Sequence, residues 1–129
     1  MIFGIGIDIV SIKRIRRAEK IHGDKFIKRV YTDSEIDESK KLSNASHYFA
    51  GRWAAKEAVS KALKTGITSD CGWKDIEIYN EKNGSPSCRL SGKALNTAKK
   101  LGMTNILVSI SHERKNICAL AVLEINNKK

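Results

Sequence analysis

The first residues of the chain alternate between apolar and small or polar positions, which predicts a β-strand over residues 2–10. One face of this strand is expected to point towards a hydrophobic core; it carries Phe3, Ile5, Ile7 and Ile9. The other face carries Gly4, Gly6, Asp8 and Val10. Asp8 is unexpected, because aspartate is a poor strand former and a buried carboxylate is costly without a partner. Its side chain either faces water or binds something, and the two glycines leave room for a ligand or another backbone.

The segments that follow carry the signals of helices. Ser11 is a suitable N-cap for a basic helix that extends to about His22. After a further short segment, Thr32 and Glu35 have the spacing of a capping box, and we expect a helix from there to about Leu42.

The longest helical pattern covers residues 47–64, with Gly66 as the expected C-terminal break. Strand patterns follow at residues 75–80, 87–90, 105–111 and 117–125, with a short helix at 91–101. The first two of these strands flank Asn83-Gly84, a strong hairpin signal. Because strands and helices mix without a βαβ rhythm, the chain is predicted to be one compact α+β domain over residues 1–129. We expect mainly antiparallel sheet packed with helices.

The charge of the chain changes this picture, because it points to an anionic partner. The chain has 129 residues, 41% of them hydrophobic, which suits a folded domain with a core, and its formal net charge is +10. Residues 11–29 alone hold eight basic and two acidic side chains. Such a segment attracts nucleic acid, an acidic membrane, a phosphorylated ligand or an acidic protein.

The cysteines and the apolar runs indicate the compartment. Three cysteines without a C-x-x-C pair do not indicate a disulfide framework, and a reducing compartment fits them better. The first residues lack the features of a signal peptide, and no apolar run approaches the roughly 18 residues of a membrane span. We therefore expect a soluble, cytoplasmic protein without a membrane segment.

The longest helix carries the second group of candidate residues. At 100° per residue, Glu57 and Lys61 are neighbours on one side of this helix, framed by Trp53 and small alanines. Arg52 and Lys56 fall on a separate stripe.

Two interpretations of these residues remain open. In the simpler one, Glu57 and Lys61 form an ordinary i,i+4 pair, which stabilises a helix by about 0.2–0.5 kcal/mol, and Asp8 faces solvent. In the other, Asp8 and Glu57 meet, and the two carboxylates repel unless a cation lies between them. Two carboxylates, water and phosphate oxygens are the ligands that Mg²⁺ usually takes.

Several segments together resemble one known family. They are GIDIV at 6–10, RVYTDSEI at 29–36, FAGRWAAKEAVSKAL at 49–63, TGI at 65–67, NEKNGSP at 80–86 and SISHE at 109–113. Over nearly the whole chain this pattern resembles the holo-acyl-carrier-protein synthases, the short bacterial type of 4′-phosphopantetheinyl transferase. The resemblance implies the fold of that family and its reaction in support of fatty acid biosynthesis. These enzymes move 4′-phosphopantetheine from coenzyme A to a serine of apo acyl carrier protein and release adenosine 3′,5′-bisphosphate.

The resemblance implies catalytic roles for three residues. Asp8 and Glu57 would bind Mg²⁺, with Mn²⁺ as an alternative, and the ion would also bind the pyrophosphate of coenzyme A. Glu57 would help to take the serine proton, directly or through a water on the metal. Lys61 would contact the pyrophosphate or the leaving oxygen.

The resemblance also implies a set of coenzyme A-binding residues, namely Arg52, Lys61, Lys64, Gly66, Pro86, Ser109 and His112. Simpler explanations exist for some of them, since Arg52 is equally suited to solvent, Gly66 to a helix cap and Pro86 to a hairpin turn. The chain departs from the family at Lys64, where glycine is frequent, and at Asn116, where tyrosine is frequent. These departures leave the nucleotide contacts less constrained than the metal site.

The basic segment suits the strongly acidic acyl carrier protein as its partner. The expected docking residues are Arg14, Arg17, Lys20, Lys25, Phe26 and Lys28. Arg14 matches the family best and Phe26 would supply apolar contact, whereas a merely solvated helix face is the simpler alternative. The resemblance further implies a homotrimer with active sites at the subunit interfaces.

The competing class is a small basic nucleic-acid-binding module without catalysis, which the sequence pI of about 9.7 favours. The sequence contains no aromatic-rich strand platform and no helix-turn-helix, RRM or KH signature. That alternative also leaves Asp8 and Glu57 unexplained, so we expect no nucleic-acid partner.

Overall fold

The computed structural model describes residues 1–127, which form five β-strands and five α-helices. The strands are β1 (Ile2–Ser11), β2 (Ile76–Asn80), β3 (Pro86–Leu90), β4 (Met103–His112) and β5 (Asn116–Ile125). The helices are α1 (Ile12–His22), α2 (Asp24–Val30), α3 (Asp33–Ser39), α4 (Ala45–Ala62) and α5 (Gly92–Leu101). A single 3₁₀ turn spans Trp73–Asp75. The predicted domain extends to Lys129, and its last two residues lie outside the described residues.

The main sheet has the order β1-β5-β4, so β5 lies between two antiparallel neighbours. The hairpin β2–β3 forms a separate two-stranded sheet. Helix α4 packs across β1 and β5 and buries most of its length between the main sheet and the hairpin. The α+β class with mainly antiparallel sheet is therefore confirmed.

The prediction for the two faces of β1 was wrong. Ile5, Ile7 and Ile9 are 62%, 61% and 66% exposed, whereas Gly4 and Gly6 are buried against α4. Alternation shows that a strand has two faces, but it does not show which face a helix covers. Here the helix covers the glycine face, because only glycine lets the helix backbone come so close.

The local signals at the helix ends were read correctly in most places. Ser11 caps α1 by accepting a hydrogen bond from Arg14 N at 3.1 Å. Thr32 and Glu35 form the expected capping box. Helix α3 ends at Ser39 and not near Leu42, where turns replace the predicted helix.

Helix α4 begins and ends two residues earlier than predicted. The side chain of Asn44 caps it by accepting a hydrogen bond from His47 N at 3.1 Å. At its other end Lys64 has a φ of 65°, so the chain turns into the left-handed region two residues before Gly66. The hairpin at Gly84 and the helix end at Gly102 are confirmed.

None of the helices in residues 1–127 combines the length and the apolar character that a membrane span requires.

Candidate active site

Asp8 comes close to α4 because β1 and the helix are in direct backbone contact. A Cβ atom at Gly4 or Gly6 would overlap the carbonyl oxygen of Ala62 or Ala58. Any larger residue at either position would therefore push the helix away from the strand. The glycines make room for another backbone, which is one of the two alternatives that the sequence left open. Asp8 lies on the same face, with its side chain 17% exposed.

Glu57 of α4 lies beside this aspartate. Burial raises the pKa of the Glu57 carboxyl, and the negative charge of Asp8 raises it further, while the positive charges of Lys61 and Arg14 oppose the shift. Lys61 lies one helical turn after Glu57 and donates to Asp8 Oδ1 at 3.3 Å, which brings Asp8 to the Glu57 side of α4. The structure thus brings together the two carboxylates that lie 49 positions apart in the sequence.

Lys61 connects the helix to the strand. Its ammonium group donates hydrogen bonds to the Ile7 carbonyl oxygen at 2.9 Å and to Asp8 Oδ1 at 3.3 Å. Among residues 1–127 the ion pair of Lys61 is with Asp8 and not with Glu57, so the ordinary i,i+4 pair is not formed. With its side chain 48% exposed, Lys61 keeps donors available to a ligand.

An aromatic wall borders the carboxylates on the α1 side. The rings of Trp53 and Trp73 are 4.2 Å apart, and Trp53 also stacks on Phe26 at 5.8 Å. The Arg14 guanidinium lies 5.7 Å from the centre of the Trp53 ring. Arg14 is thereby held next to Glu57, with its charge directed at the site.

The donor set of this site suits a hard divalent cation. Two carboxylates share a partly buried space. Lys61 forms an ion pair with Asp8, and the charges of Lys61 and Arg14 only partly offset the raised pKa of Glu57. Such a cation takes carboxylate oxygens and completes its shell with water or phosphate oxygens. Residues 1–127 contain no cluster of three or more His, Cys, Asp or Glu that could hold a metal. Asp8 and Glu57 could therefore offer such an ion two carboxylate groups, with the rest of its shell coming from water or a ligand.

A pocket of about 420 Å³ lies between the N-terminal half of α4, the β2–β3 hairpin and the end of β4. Arg52, Pro86 and His112 line this pocket, together with Tyr48 and Asn80. Three of the predicted coenzyme A-binding residues therefore meet in this pocket.

Arg52 is held rigidly in this pocket. It is only 8% exposed, so the solvated alternative for it is wrong. Its Nη2 donates to Asn80 Oδ1 at 3.1 Å, and its guanidinium stacks 4.3 Å from the centre of the Tyr48 ring. The buried Nε has no hydrogen-bond partner within residues 1–127, which leaves one donor unused beside the pocket.

The pocket and the carboxylates lie on different sides of α4. Five residues separate Arg52 from Glu57, which rotates the helix by about 140° and advances it by about 7.5 Å. The structure of one chain therefore does not bring Arg52, Pro86 and His112 to Asp8 and Glu57.

The other predicted coenzyme A contacts are distributed between these regions. Lys64 and Gly66 lie just past the end of α4, near Lys61, and Lys64 Nζ is 4.1 Å from the centre of the Phe3 ring. Ser109 is exposed and pairs in register with Leu120 on the sheet face opposite α4. It therefore lies apart from His112 and the pocket.

The predicted docking residues divide into groups. Lys20 lies about 120° around α1 from Arg14, so the two cations face different directions. Arg17 and Lys20 line a cleft with the β4–β5 turn. Lys25 lines a small hollow beside His22, and Lys28 lies in another, beside Asp33 and Asp37.

Phe26 does not occupy the expected position. It is 6% exposed and packs beneath Trp53, so it supports the docking face from inside and does not offer the apolar surface that we expected.

Sequence reasoning missed several residues at both regions. Trp73, Tyr48 and His47 were not singled out, and Asn80 was only the first letter of the NEKNGSP segment. His47 packs edge-to-face against His112, with the ring centres 4.7 Å apart, and burial, aided by the charge of His112, lowers the pKa of His47. The four-residue spacing of Tyr48 and Arg52 was a usable signal for their contact.

Comparisons with known proteins connect this arrangement to a family. The profile of the 4′-phosphopantetheinyl transferase superfamily matches residues 4–121. The holo-[acyl-carrier-protein] synthase of Natranaerobius thermophilus is 43% identical over 123 residues, which cover 95% of this chain and 98% of that protein.

Solved structures give the same result. The crystal structure of holo-[acyl-carrier-protein] synthase from Neisseria meningitidis superposes with a TM-score of 0.91 at 35% identity, covering 96% of this chain and 99% of that one. The Helicobacter pylori enzyme, solved in complex with coenzyme A, gives a TM-score of 0.83 at 36% identity and covers 93% of this chain and 99% of that one.

Proposed function

This chain belongs to the 4′-phosphopantetheinyl transferase superfamily, and we propose that it works there as a holo-acyl-carrier-protein synthase that serves fatty acid biosynthesis. It transfers 4′-phosphopantetheine from coenzyme A to a serine of apo acyl carrier protein and releases adenosine 3′,5′-bisphosphate. The observation that carries the proposal is the meeting of Asp8, Glu57 and Lys61 where β1 touches α4.

The proposed transfer is a displacement at phosphorus. The serine oxygen forms a bond to the phosphorus that carries pantetheine, and the bond from that phosphorus to the bridging pyrophosphate oxygen breaks. The electron pair leaves with the 5′-phosphate of the nucleotide. Glu57 accepts the serine proton, directly or through a water, as a positioned carboxylate does in general base catalysis.

Asp8 and Glu57 would together hold Mg²⁺, or Mn²⁺ in its place. A bound divalent cation supplies charge neutralisation of the pyrophosphate and of the leaving phosphate. The fit rests on the two unbalanced carboxylates described above. Lys61 adds a fixed positive charge beside Asp8, and its exposed ammonium is placed to donate to the leaving phosphate oxygen.

We propose that the pocket around Arg52 takes the nucleotide end of coenzyme A. Pro86 and His112 offer flat surfaces for a base, and the guanidinium of Arg52, which lines the pocket, supplies a positive charge for a phosphate group. Lys64 and Gly66 near Lys61 would border the pyrophosphate.

One coenzyme A molecule must then span two sides of α4, which a single chain does not join. We propose that a neighbouring copy supplies the pocket, in a homotrimer with active sites at its interfaces. The exposed apolar face of the main sheet supports this arrangement, since Ile5, Ile7 and Ile9 form a continuous row beside Leu120. Ser109 also lies on this face, so it would lie at the contact between two copies of the proposed homotrimer.

The acidic carrier protein would dock at the α1 side of the carboxylates. Arg14 is the cation nearest to Glu57 on this side and is fixed by Trp53. The remaining basic residues of α1 and α2 would steer the carrier, which raises the association rate and weakens with salt. The three cysteines are free, which suits the reducing cytoplasm as the place of work.

The direct test is the mass of apo acyl carrier protein after incubation with this protein, coenzyme A and Mg²⁺. We expect a gain of about 340 Da, the phosphopantetheine group, and its loss with EDTA. A folded protein that produces no gain on a competent carrier would remove the proposal. Thermal protection by coenzyme A with Mg²⁺, compared with protection by DNA or RNA, then tests the nucleic-acid alternative.

Mixed oligomers test the shared site. Asp8→Asn and Arg52→Gln should each be inactive alone, because each removes one half of the site. Co-assembly in equal amounts should restore activity at about one quarter of the interfaces, where an intact Asp8 meets an intact Arg52 of another copy. Inactive mixtures that demonstrably contain both variants would contradict a site shared between copies.

A further inference from the structure

A strongly basic cleft of about 710 Å³ lies on the side of α1 away from the Asp8–Glu57 carboxylates. One wall is α1 and the other is the turn between β4 and β5, with the start of α4 at its base. The cleft has six cationic side chains, which are Lys13, Arg16, Arg17, Lys20, Arg114 and Lys115. Among residues 1–127, no carboxylate lines it.

The two walls are held in a fixed relation. Ile12 N, at the start of α1, donates to the Lys115 carbonyl oxygen at 2.9 Å, so the turn is bonded to the helix. Glu113 Oε1 accepts hydrogen bonds from Lys115 N, Asn116 N and Asn116 Nδ2, at 3.0, 2.8 and 3.0 Å. These bonds order the turn before any ligand arrives, and preorganisation lowers the cost of binding.

Two acids lie next to these cations in the sequence. Glu113 is engaged by the turn, and these contacts lower the pKa of its carboxyl. Glu19, beside Lys20 on α1, accepts a hydrogen bond from Ser46 Oγ at 3.5 Å. Within residues 1–127, no ion pair involves any of the six cations. Six like charges around one space repel each other, and an anion of high charge relieves this repulsion.

We propose that this cleft binds a polyphosphate group. Its volume is that of a small-molecule site, and its lining is dominated by charged donors rather than by the aromatic faces that stack on bases. Arginine side chains on both walls suit bidentate contact with phosphate oxygens.

Two sources supply such a group. The cleft shares Asn44 and His47 with the pocket around Arg52, so the phosphates of a nucleotide held there are one source. A separate polyphosphorylated ligand is the other. The inference that the cleft takes polyphosphate holds for either source and does not depend on the proposed transferase activity.

Calorimetric titration with inorganic tripolyphosphate tests the site on the full-length protein. The cleft variant is Arg16→Gln with Arg114→Gln, which removes one cation from each wall. The matched control is Lys99→Gln with Lys100→Gln, which removes the same charge from the exposed end of α5. We expect saturable binding that weakens about tenfold or more in the cleft variant and little in the control.

Repeating the titration with the protein saturated by coenzyme A identifies the source. Competition would assign the cleft to the phosphates of coenzyme A, and independent binding would assign it to a separate ligand. Absence of saturable binding at low salt, or an equal loss in the cleft variant and the control, would overturn the proposal. Thermal unfolding of both variants verifies that they remain folded.

Discussion

Two successive residues of α4, Lys56 and Glu57, carry charges in contrasting environments: one lies beside a group of opposite charge and the other beside a group of like charge. Lys56 is fully buried, and its ammonium lies 2.8 Å from the equally buried carboxylate of Glu35. It also donates hydrogen bonds to two backbone carbonyl groups. Glu57, the next residue, faces Asp8, a group of its own charge, and only part of that charge is balanced by Lys61.

The difference separates a structural pair from a functional one. Glu35 accepts hydrogen bonds from Thr32 N and Ile78 N, each at 2.8 Å, so its pair with Lys56 ties α3, α4 and β2 together with every charge satisfied. The Asp8–Glu57 pair is only partly balanced by the protein itself, through Lys61 and Arg14. Charge that a fold leaves unsatisfied at its surface is typical of sites that bind ligands.

The largest expected effect is on catalysis, at the unsatisfied pair. Glu57→Gln keeps the shape of the side chain but removes the proton acceptor, so the transfer rate should fall by about 10²–10⁴-fold. The transfer rate of the Asp8→Asn variant should fall by at least as much. Neither substitution should lower the melting temperature. Single-turnover kinetics measure the transfer rate, and thermal unfolding measures the stability of each variant. A variant that loses activity only because it unfolds would contradict a functional role for this pair as distinct from a structural one.

Substitutions in the buried Lys56–Glu35 pair should lower stability and leave catalysis nearly unchanged. Lys56→Met leaves the Glu35 carboxylate buried without its cation, which should lower the free energy of unfolding by about 3–5 kcal/mol. The folded fraction should keep its turnover rate within a few-fold, as denaturant unfolding and rate measurements can establish. The double variant Lys56→Met with Glu35→Gln should recover part of the loss, and an additive loss would contradict a coupled pair.

Lys61 should give an intermediate effect, because it belongs to the unsatisfied site but not to its carboxylates. Lys61→Gln should slow the transfer by about 10²-fold through the loss of one charged donor. It should also raise the pKa of Glu57, because a cation that favours the carboxylate is gone. The rising limb of the pH–rate profile should therefore move to higher pH. A limb that does not move would contradict an electrostatic interaction between Lys61 and Glu57.

The smallest expected effect is on stability as a function of pH. Because the pKa of Glu57 is raised in the folded state, its ionised form destabilises the fold, and protonation relieves this cost as pH falls through the raised pKa. In EDTA, Glu57→Gln should thus stabilise the protein by less than about 1 kcal/mol at neutral pH and by nothing below the ordinary value of 4.5. Melting curves measured from neutral pH to below 4.5 should show the difference in stability between the variant and the unsubstituted protein disappear.

Much of the fold followed from local signals in the sequence. The caps at Ser11 and Thr32, the turn at Gly84 and the helix end at Gly102 are each set by a residue and its near neighbours. The orientation of β1 was not predictable in the same way. It depends on the contact of Gly6 with a helix that lies about 50 residues away in the sequence.

The site was predictable only in part. The pairing of Asp8 with Glu57 came from a family resemblance, and spacing within α4 favoured a Glu57–Lys61 pair that the structure does not form. The buried pair of Lys56 and Glu35 gave no signal, since its members lie on different helices. Only the capping role of Glu35 was visible, because that role acts within one turn.

The central claim is that Glu57 and Asp8 form an unbalanced acid pair that a divalent cation completes. The most direct measurement is an NMR titration of the Glu57 side-chain carboxyl carbon, without and with Mg²⁺. We expect the pKa of Glu57 to lie above the ordinary value of 4.5 without the ion and to fall markedly when Mg²⁺ is added. A Glu57 pKa that is ordinary without the ion and unchanged by Mg²⁺ would contradict it.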